Sequence, residues 1–177
     1  RFLADLDRDA SIFVAGSAAL RNELLAAGLQ EGDEPDFVVA GIDLDMTLSR
    51  LAEAARHLDA GAQLIACNPD RTLPVPGGTA PETGAVVAFL EAASDKTATV
   101  VGKPNAQIYE TALQMIGLGR NSVMMVGDTP ETDIVGANAA GIRSAYIGDG
   151  DERPADSLAE PSVCVADLSD LADRLLG

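Results

Sequence analysis

Short apolar runs alternate with helical stretches along almost all of the 177-residue chain, and this alternation is what most limits its fold. A strand covered on both faces reads as an unbroken apolar run, whereas a covering helix repeats its apolar positions every 3 to 4 residues, in the ~3.6 period of the helix. Ile12–Ala15 is such a run, ending at Gly16, and a helical stretch from Ala18 to Ala27 follows with Gly28 as its stop. Phe37–Ile42, preceded by Pro35, is the next strand. Thr47 to Asp59 then sets Leu48, Leu51, Ala55 and Leu58 on one helical face before Gly61. Gln63–Ala66 is a strand leading into Asn68-Pro69-Asp70.

A Gly/Pro-rich loop without strand or helix period is expected over 72–81, then a helix from Glu82 to Ala93 and a strand at Ala98–Val101. Ile108–Ile116 reads as a helix stopped by Gly117, and Val123–Val126 as a fully apolar strand. Asp133–Ala140 is helical to Gly141, Ser144–Ile147 is a strand, and Leu168–Leu176 is a closing helix. The order predicts an α/β fold built on a parallel sheet.

Composition narrows the partners. No apolar stretch approaches the roughly 20 residues of a membrane span, and no basic-then-apolar leader opens the chain. The expectation is a cytoplasmic protein with no membrane partner. A net charge of −16 repels phosphate backbones, so no nucleic-acid partner is expected. Cys67 and Cys164 lie far apart and read as two reduced thiols. Only Lys96 and Lys103 among the 12 basic residues are lysine, and aspartate outnumbers glutamate. That balance suits either a halophilic surface or an acidic protein from a GC-rich genome.

Two segments carry chemistry. The first is Val123-Met-Met-Val126-Gly127-Asp128-Thr129-Pro130-Glu131-Thr132-Asp133-Ile134. Asp128 stands where an apolar strand emerges at its carboxyl end, the edge at which open α/β sheets bind ligands. Asp133 follows at the next helix, and two carboxylates so placed can hold a hard cation; a helix cap and a turn residue are their structural readings. The second segment is Val100-Val101-Gly102-Lys103-Pro104, with Lys103 as a point charge suited to phosphate or, alone, a solvated loop lysine.

Together these motifs resemble those of the haloacid dehalogenase superfamily: Gly-Lys-Pro its third, and Gly-Asp-x-x-x-Thr-Asp-Ile with Gly141-Ile142 its fourth. Pro35–Gly41, Asn68-Pro69-Asp70 and the Gly77-Gly78 loop running to Gly84 resemble the large α/β cap of its 4-nitrophenyl, phosphoglycolate and nucleotide phosphatases. The resemblance implies a Rossmann-like parallel core, present in part, with an inserted α/β cap. It places the cap at residues 11–97, and partial core at 1–10 and 98–177. It also implies an Mg²⁺-dependent phosphatase working through an aspartyl-phosphate. Lys103 would neutralise the phosphoryl unit, Asp128 would bind Mg²⁺ and Asp133 would support the metal or its waters. Asn68 and Asp70 would face the substrate, a small phosphorylated metabolite, unless they form only an Asx–Pro turn; a homodimer through the cap is left open.

The family's first motif, Asp-x-Asp-x-Thr with the nucleophile first, and its second should precede the cap, so about 70 residues of two βα units have no counterpart. The chain alone is therefore expected to be truncated and inactive. Two alternatives stand beside this. One is a non-catalytic binding or oligomerisation module. The other is a compact phosphatase using Asp43 as nucleophile, since Phe37–Thr47 reads as a strand plus Asp43-x-Asp45-x-Thr47. Against the second, Cys67 stands where the second motif needs a hydroxyl, and Met46 where a glycine follows the second Asp; Asp45 or Thr47 serves as readily as a helix cap. The lone His57 and the acidic Gly148–Glu152 turn carry no catalytic or calcium-binding pattern.

If the acidic, lysine-poor surface is salt-adapted, the melting temperature should rise steadily from low to molar KCl as screening relieves self-repulsion. A flat or falling melting temperature would leave the GC-rich-genome origin.

Overall fold

The computed structural model describes residues 10–155 and 158–177, and the chain divides into two compact units that meet in sequence between Val101 and Gly102. Of the partial core expected at residues 1–10, residues 1–9 lie outside the described residues.

In the first unit the chain runs through β1 (Ser11–Ala15), α1 (Ala18–Ala26), β2 (Gln30–Glu31), β3 (Phe37–Ala40) and α2 (Leu48–Asp59). It continues through β4 (Gln63–Ala66), β5 (Thr72–Val75), β6 (Gly78–Pro81), α3 (Thr83–Ala93) and β7 (Thr99–Val100). Five strands form one parallel sheet in the order β2-β1-β3-β4-β7. Alternate side chains point to opposite faces, so each run fills two cores. Phe13, Ala15, Val38, Ala40, Leu64 and Ala66 pack with Ala54 and Leu58 of α2 and Val87 and Leu90 of α3. Ile12, Val14, Phe37, Val39 and Ile65 meet Leu20 and Leu24 of α1 on the other face. Burial on both faces is why these strands carry no polar alternation.

Local chemistry sets the helix starts. Ser17 and Thr47 accept from Leu20 N and Arg50 N as N-caps of α1 and α2. Arg50 then ties α2 to the sheet: its guanidinium donates to Val14 O at 2.9 and 3.2 Å and lies 4.0 Å from the Phe13 ring centroid. His57 packs against the same ring at 4.8 Å, a core contact for the lone histidine.

Two expectations change here. Residues 72–81 are a hairpin, not a structureless loop, with Thr72↔Pro81, Leu73↔Ala80, Pro74↔Thr79 and Val75↔Gly78 in antiparallel register. Pro74 and Pro81 read as strand breakers, but a two-stranded ribbon has open edges where a missing N–H costs no ladder bond. Pro76-Gly77 makes the turn, and Gly77 takes the φ of 89° that a side chain disfavours. The strand expected over 98–101 also joins the first sheet, pairing Thr99 and Val100 with Ile65 and Ala66.

The second unit contains α4 (Ala106–Ile116), β8 (Met124–Gly127), a π-helical turn (Pro130–Ile134), α5 (Val135–Ala139), β9 (Arg143–Ile147), β10 (Val163–Val165) and α6 (Leu168–Leu176). β10-β9-β8 is a second parallel sheet. Tyr109 and Leu113 of α4 pack with Ala137, Ala140 and Ile142, and Leu171 of α6 packs with Ala145 and Val165. Asp151, in the acidic turn, pairs with Arg174 at 2.8 Å.

Asp36 links the start of β1 to the start of β3, accepting from the Ser11 amide at 2.8 Å and its hydroxyl at 2.9 Å. These bonds, the amide first, hold its carboxyl below the ordinary range. A lowered folded pKa gives stability that is present above the unfolded value of about 3.9 and is lost as pH falls through the folded one. Asp36→Ala should therefore melt below the wild type at pH 7, and the two curves should converge in acid. A gap that stays constant into strong acid would remove Asp36 ionisation as its cause.

Candidate active site

The second unit's site grows from the carboxyl end of β8. The strand ends at Gly127, Asp128 follows exposed to solvent, and the chain then winds through Pro130–Ile134 as a π-helical turn, with Val135 N donating to Pro130 O five residues back. Such π-helical turns concentrate at functional sites. Thr129 opens this one: its carbonyl accepts from Asp133 N at 2.8 Å, and its amide donates back to Asp133 Oδ2 at 3.2 Å.

Asp133 is thereby folded inward, with its side chain only 4% exposed. A buried carboxylate without partners costs several kcal/mol, so it must be met by donors. Lys103 supplies the second, its Nζ lying 2.6 Å from Asp133 Oδ1 while remaining 44% exposed. Lys103 thus has a buried anchor and an open side, the arrangement a phosphate-facing cation needs. The carboxylate also lies over the backbone of Gly127, where any Cβ would collide with it.

Tyr109 completes the support from α4. Its hydroxyl lies 3.1 Å from both Thr132 O and Asp133 O, donating to the two carbonyls of the π-helical turn. Gly136 makes room for the phenol, since a Cβ there would fall 2.6 Å from Oη. Burial first, and then the Asp133 charge, push the Tyr109 pKa up to about 12, so the group stays a donor at neutral pH. The sequence places Tyr109 only within a helix; the one signal it offers is a tyrosine six residues after Lys103, on the helix that follows the lysine motif.

The geometry sorts the expected metal ligands. Asp128 keeps a carboxylate whose described contact is the Thr129 hydroxyl at 3.3 Å, so it fits one ligand position of a hard cation. Both oxygens of Asp133 are engaged, by Lys103 and by Thr129 N, which suits it to hold Lys103 or act through water. No group of three His, Cys, Asp or Glu side chains able to hold a metal occurs among the described residues, so substrate phosphate and water would have to complete the shell around Asp128.

The remaining candidates lie in the first unit. Asp43 and Asp45 follow β3, where Asp43 Oδ1 accepts from Asp45 N at 3.0 Å and Thr47, not Asp45, caps α2. β3 is flanked by β1 and β4, while β8 pairs in the other sheet, so the strand before Asp43 has no edge free for β8. A compact enzyme built on Asp43 would need those two strands adjacent for Asp43 to meet the Gly-Asp motif. Asn68 is committed internally: Oδ1 accepts from Asp70 N at 3.0 Å and Nδ2 donates to Glu82 Oε1 at 3.1 Å. Asp70 gives its carbonyl to Gly84 N at 2.6 Å, a close approach that a Cβ on Gly84 would block. Both Cys67 and Cys164 are free thiols, and burial pushes the Cys67 thiol up.

Known proteins resemble this chain in sequence and fold. The HAD-hydrolase-like family model matches residues 100–171. An acid sugar phosphatase of Staphylococcus haemolyticus is 29% identical over 185 residues, 98% of this chain and 70% of that protein. A thermostable NPPase from Geobacillus stearothermophilus, solved as a double mutant, superposes with a TM-score of 0.87 at 34% identity, over 96% of this chain and 68% of that one. The glycerol phosphate phosphatase of Mycobacterium tuberculosis in complex with magnesium gives 0.88 at 36% identity, over 96% of this chain and 54% of that one. The D-glycerol 3-phosphate phosphatase of that organism is 39% identical over 142 residues, 78% of this chain and 40% of that protein.

Gly127→Ala should force the Asp133 carboxylate out of its place and cost about 1–3 kcal/mol, as overpacking does. Gly119→Ala, with open space around its Cβ, is the comparison in urea denaturation. Equal costs at the two positions would show that the Gly127 contact does not matter.

Proposed function

Because the chain belongs to the haloacid-dehalogenase-like hydrolases, we propose that it forms part of an Mg²⁺-dependent phosphatase acting on a small phosphorylated metabolite. The observation that carries this reading is Lys103 anchored on buried Asp133, with Asp128 exposed at the end of β8 in the same motif. Lys103 would draw the phosphoryl oxygens in and offset the charge that builds on them during transfer. Asp133 would fix where that ammonium stands, and Asp128 would hold the cation. Held by Asp128, Mg²⁺ would supply Lewis-acid neutralisation of the charge that develops on the phosphoryl group. In the reaction an aspartate oxygen bonds to phosphorus as the ester oxygen leaves and takes a proton; water then cleaves the acyl phosphate to carboxylate and inorganic phosphate.

The structure of the first unit supports a nucleophile other than Asp43, because β3 has both edges occupied and Asp43 is turned onto the Asp45 amide. We place that aspartate in a family first motif on the same polypeptide, outside the 177 residues. Asp70, whose carboxylate has no described partner, suits contact with a substrate's leaving group better than Asn68, which positions Asp70 and Glu82.

Residues 1–177 assayed with Mg²⁺ and 4-nitrophenyl phosphate should show no turnover. The polypeptide carrying a first motif should hydrolyse it, and Asp128→Ala should remove that activity. Lys103→Ala should lower kcat by about 100-fold or more, in line with the loss of a preorganised charge contact. Near-normal activity in the Asp128 variant would sink the assignment. Turnover by residues 1–177 that disappears in Asp43→Asn would instead make Asp43 the nucleophile.

A further inference from the structure

We infer that Tyr109 is a positioning residue for the Lys103–Asp133 pair, clamping the π-helical turn through its hydroxyl so that the ammonium is held in one place. The inference rests on the phosphatase reading of the same site, but its geometry is independent of any bound group. A turn with a residue inserted has a looser hydrogen-bond ladder than an α-helix, and Asp133 is the residue that this turn must hold inward. Thr129 fastens the turn at its start through two bonds to Asp133. Tyr109 fastens it from outside, with one hydroxyl between two successive carbonyls at 3.1 Å each.

Three features separate this from ordinary packing. The phenol reaches its partners from a different helix, 23 and 24 residues away in sequence, so it fixes the turn against α4 and not merely against itself. Gly136 is shaped around the phenol end of the ring, with Oη, Cε2 and Cζ all within 2.9 Å of where a Cβ would stand. The hydroxyl also contacts the main chain of the very residue that pairs with Lys103. Displacing Asp133 O by removal of this clamp shifts the carboxylate, and the exposed lysine follows its anchor.

Tyr109→Phe removes the hydroxyl and keeps the ring. Lysine-specific ¹⁵N labelling gives a direct view, because the chain has just Lys96 and Lys103, one in the site and one as internal reference. In the wild type the Lys103 ammonium should be restrained and slow to exchange. In Tyr109→Phe that restraint should be lost while the Lys96 signal stays the same. Mn²⁺, as a probe followed by electron paramagnetic resonance, reports separately on the Asp128 carboxylate, whose described contact is the Thr129 hydroxyl. Leu113→Ala, in the same core cluster, is the structural control: it should lower the melting temperature further yet leave the Lys103 signal intact. A Lys103 signal unchanged in Tyr109→Phe, or lost equally in Leu113→Ala, overturns the inference. If Lys103 responds as expected but Asp128→Ala binds Mn²⁺ as the wild type does, the metal assignment fails and the clamp stands.

Discussion

A carboxylate taken out of water has to be met by donors, and the second unit is arranged around meeting that of Asp133. One oxygen receives a main-chain amide two peptide planes after β8, and the other receives the Lys103 ammonium. Room for the group exists because residue 127 has no side chain. The inserted residue in the turn brings Asp133 back over the strand end, while Asp128 stays directed to solvent. One burial event therefore separates two acidic residues of the same motif into different roles: one anchors a cation of the protein, the other stays available to a cation from solution. The separation follows from solvation, since an unpaired carboxylate keeps its water where it can.

The first unit solves a different problem. Its sheet is covered on both faces, and the loops that leave the carboxyl ends of β3 and β4 emerge at one edge, as parallel strands require. Gly41 and Gly84 allow close approaches at that edge, to Leu20 and to the Pro69 carbonyl. The Asn68 side chain then stitches the loop to the start of α3 through Glu82. Polar residues that a motif search would read as ligands are here partly consumed in holding backbone, and this leaves the carboxylate of half-buried Asp70 without a described partner.

Much of this was legible in the residues because burial on two faces writes itself as unbroken apolar runs. Ile12–Ala15, Phe37–Ala40 and Leu64–Ala66 were readable for that reason, and the helix stops at Gly28, Gly61 and Gly117 were readable as glycines that take a positive φ. The places of Lys103, Asp128 and Asp133 just beyond strand ends were legible as well. What escaped depends on partners distant in sequence. β2 and β10 have only two and three residues, too short to show any period. The hairpin was hidden by Pro74 and Pro81, whose cost vanishes at an open edge. Tyr109 looked like a helix residue among others, because its two carbonyl partners are main-chain atoms and leave no trace in side-chain pattern. The engagement of both Asp133 oxygens was likewise invisible, since spacing shows where a carboxylate stands and not which way it turns.

The β5–β6 ribbon has a different kind of consequence. It pairs only with itself, and its side chains alternate between exposed and half-buried positions, so neither parallel sheet depends on its detail. Its anchor is the glycine turn at one end and the Arg71 carbonyl, which accepts from Glu82 N, at the other. A lineage can therefore rewrite Leu73, Pro74 or Thr79 with little penalty to folding, and lengthen the ribbon by paired insertions. Segments with that freedom are where related chains diverge first, and where a common scaffold is turned to new chemical neighbours.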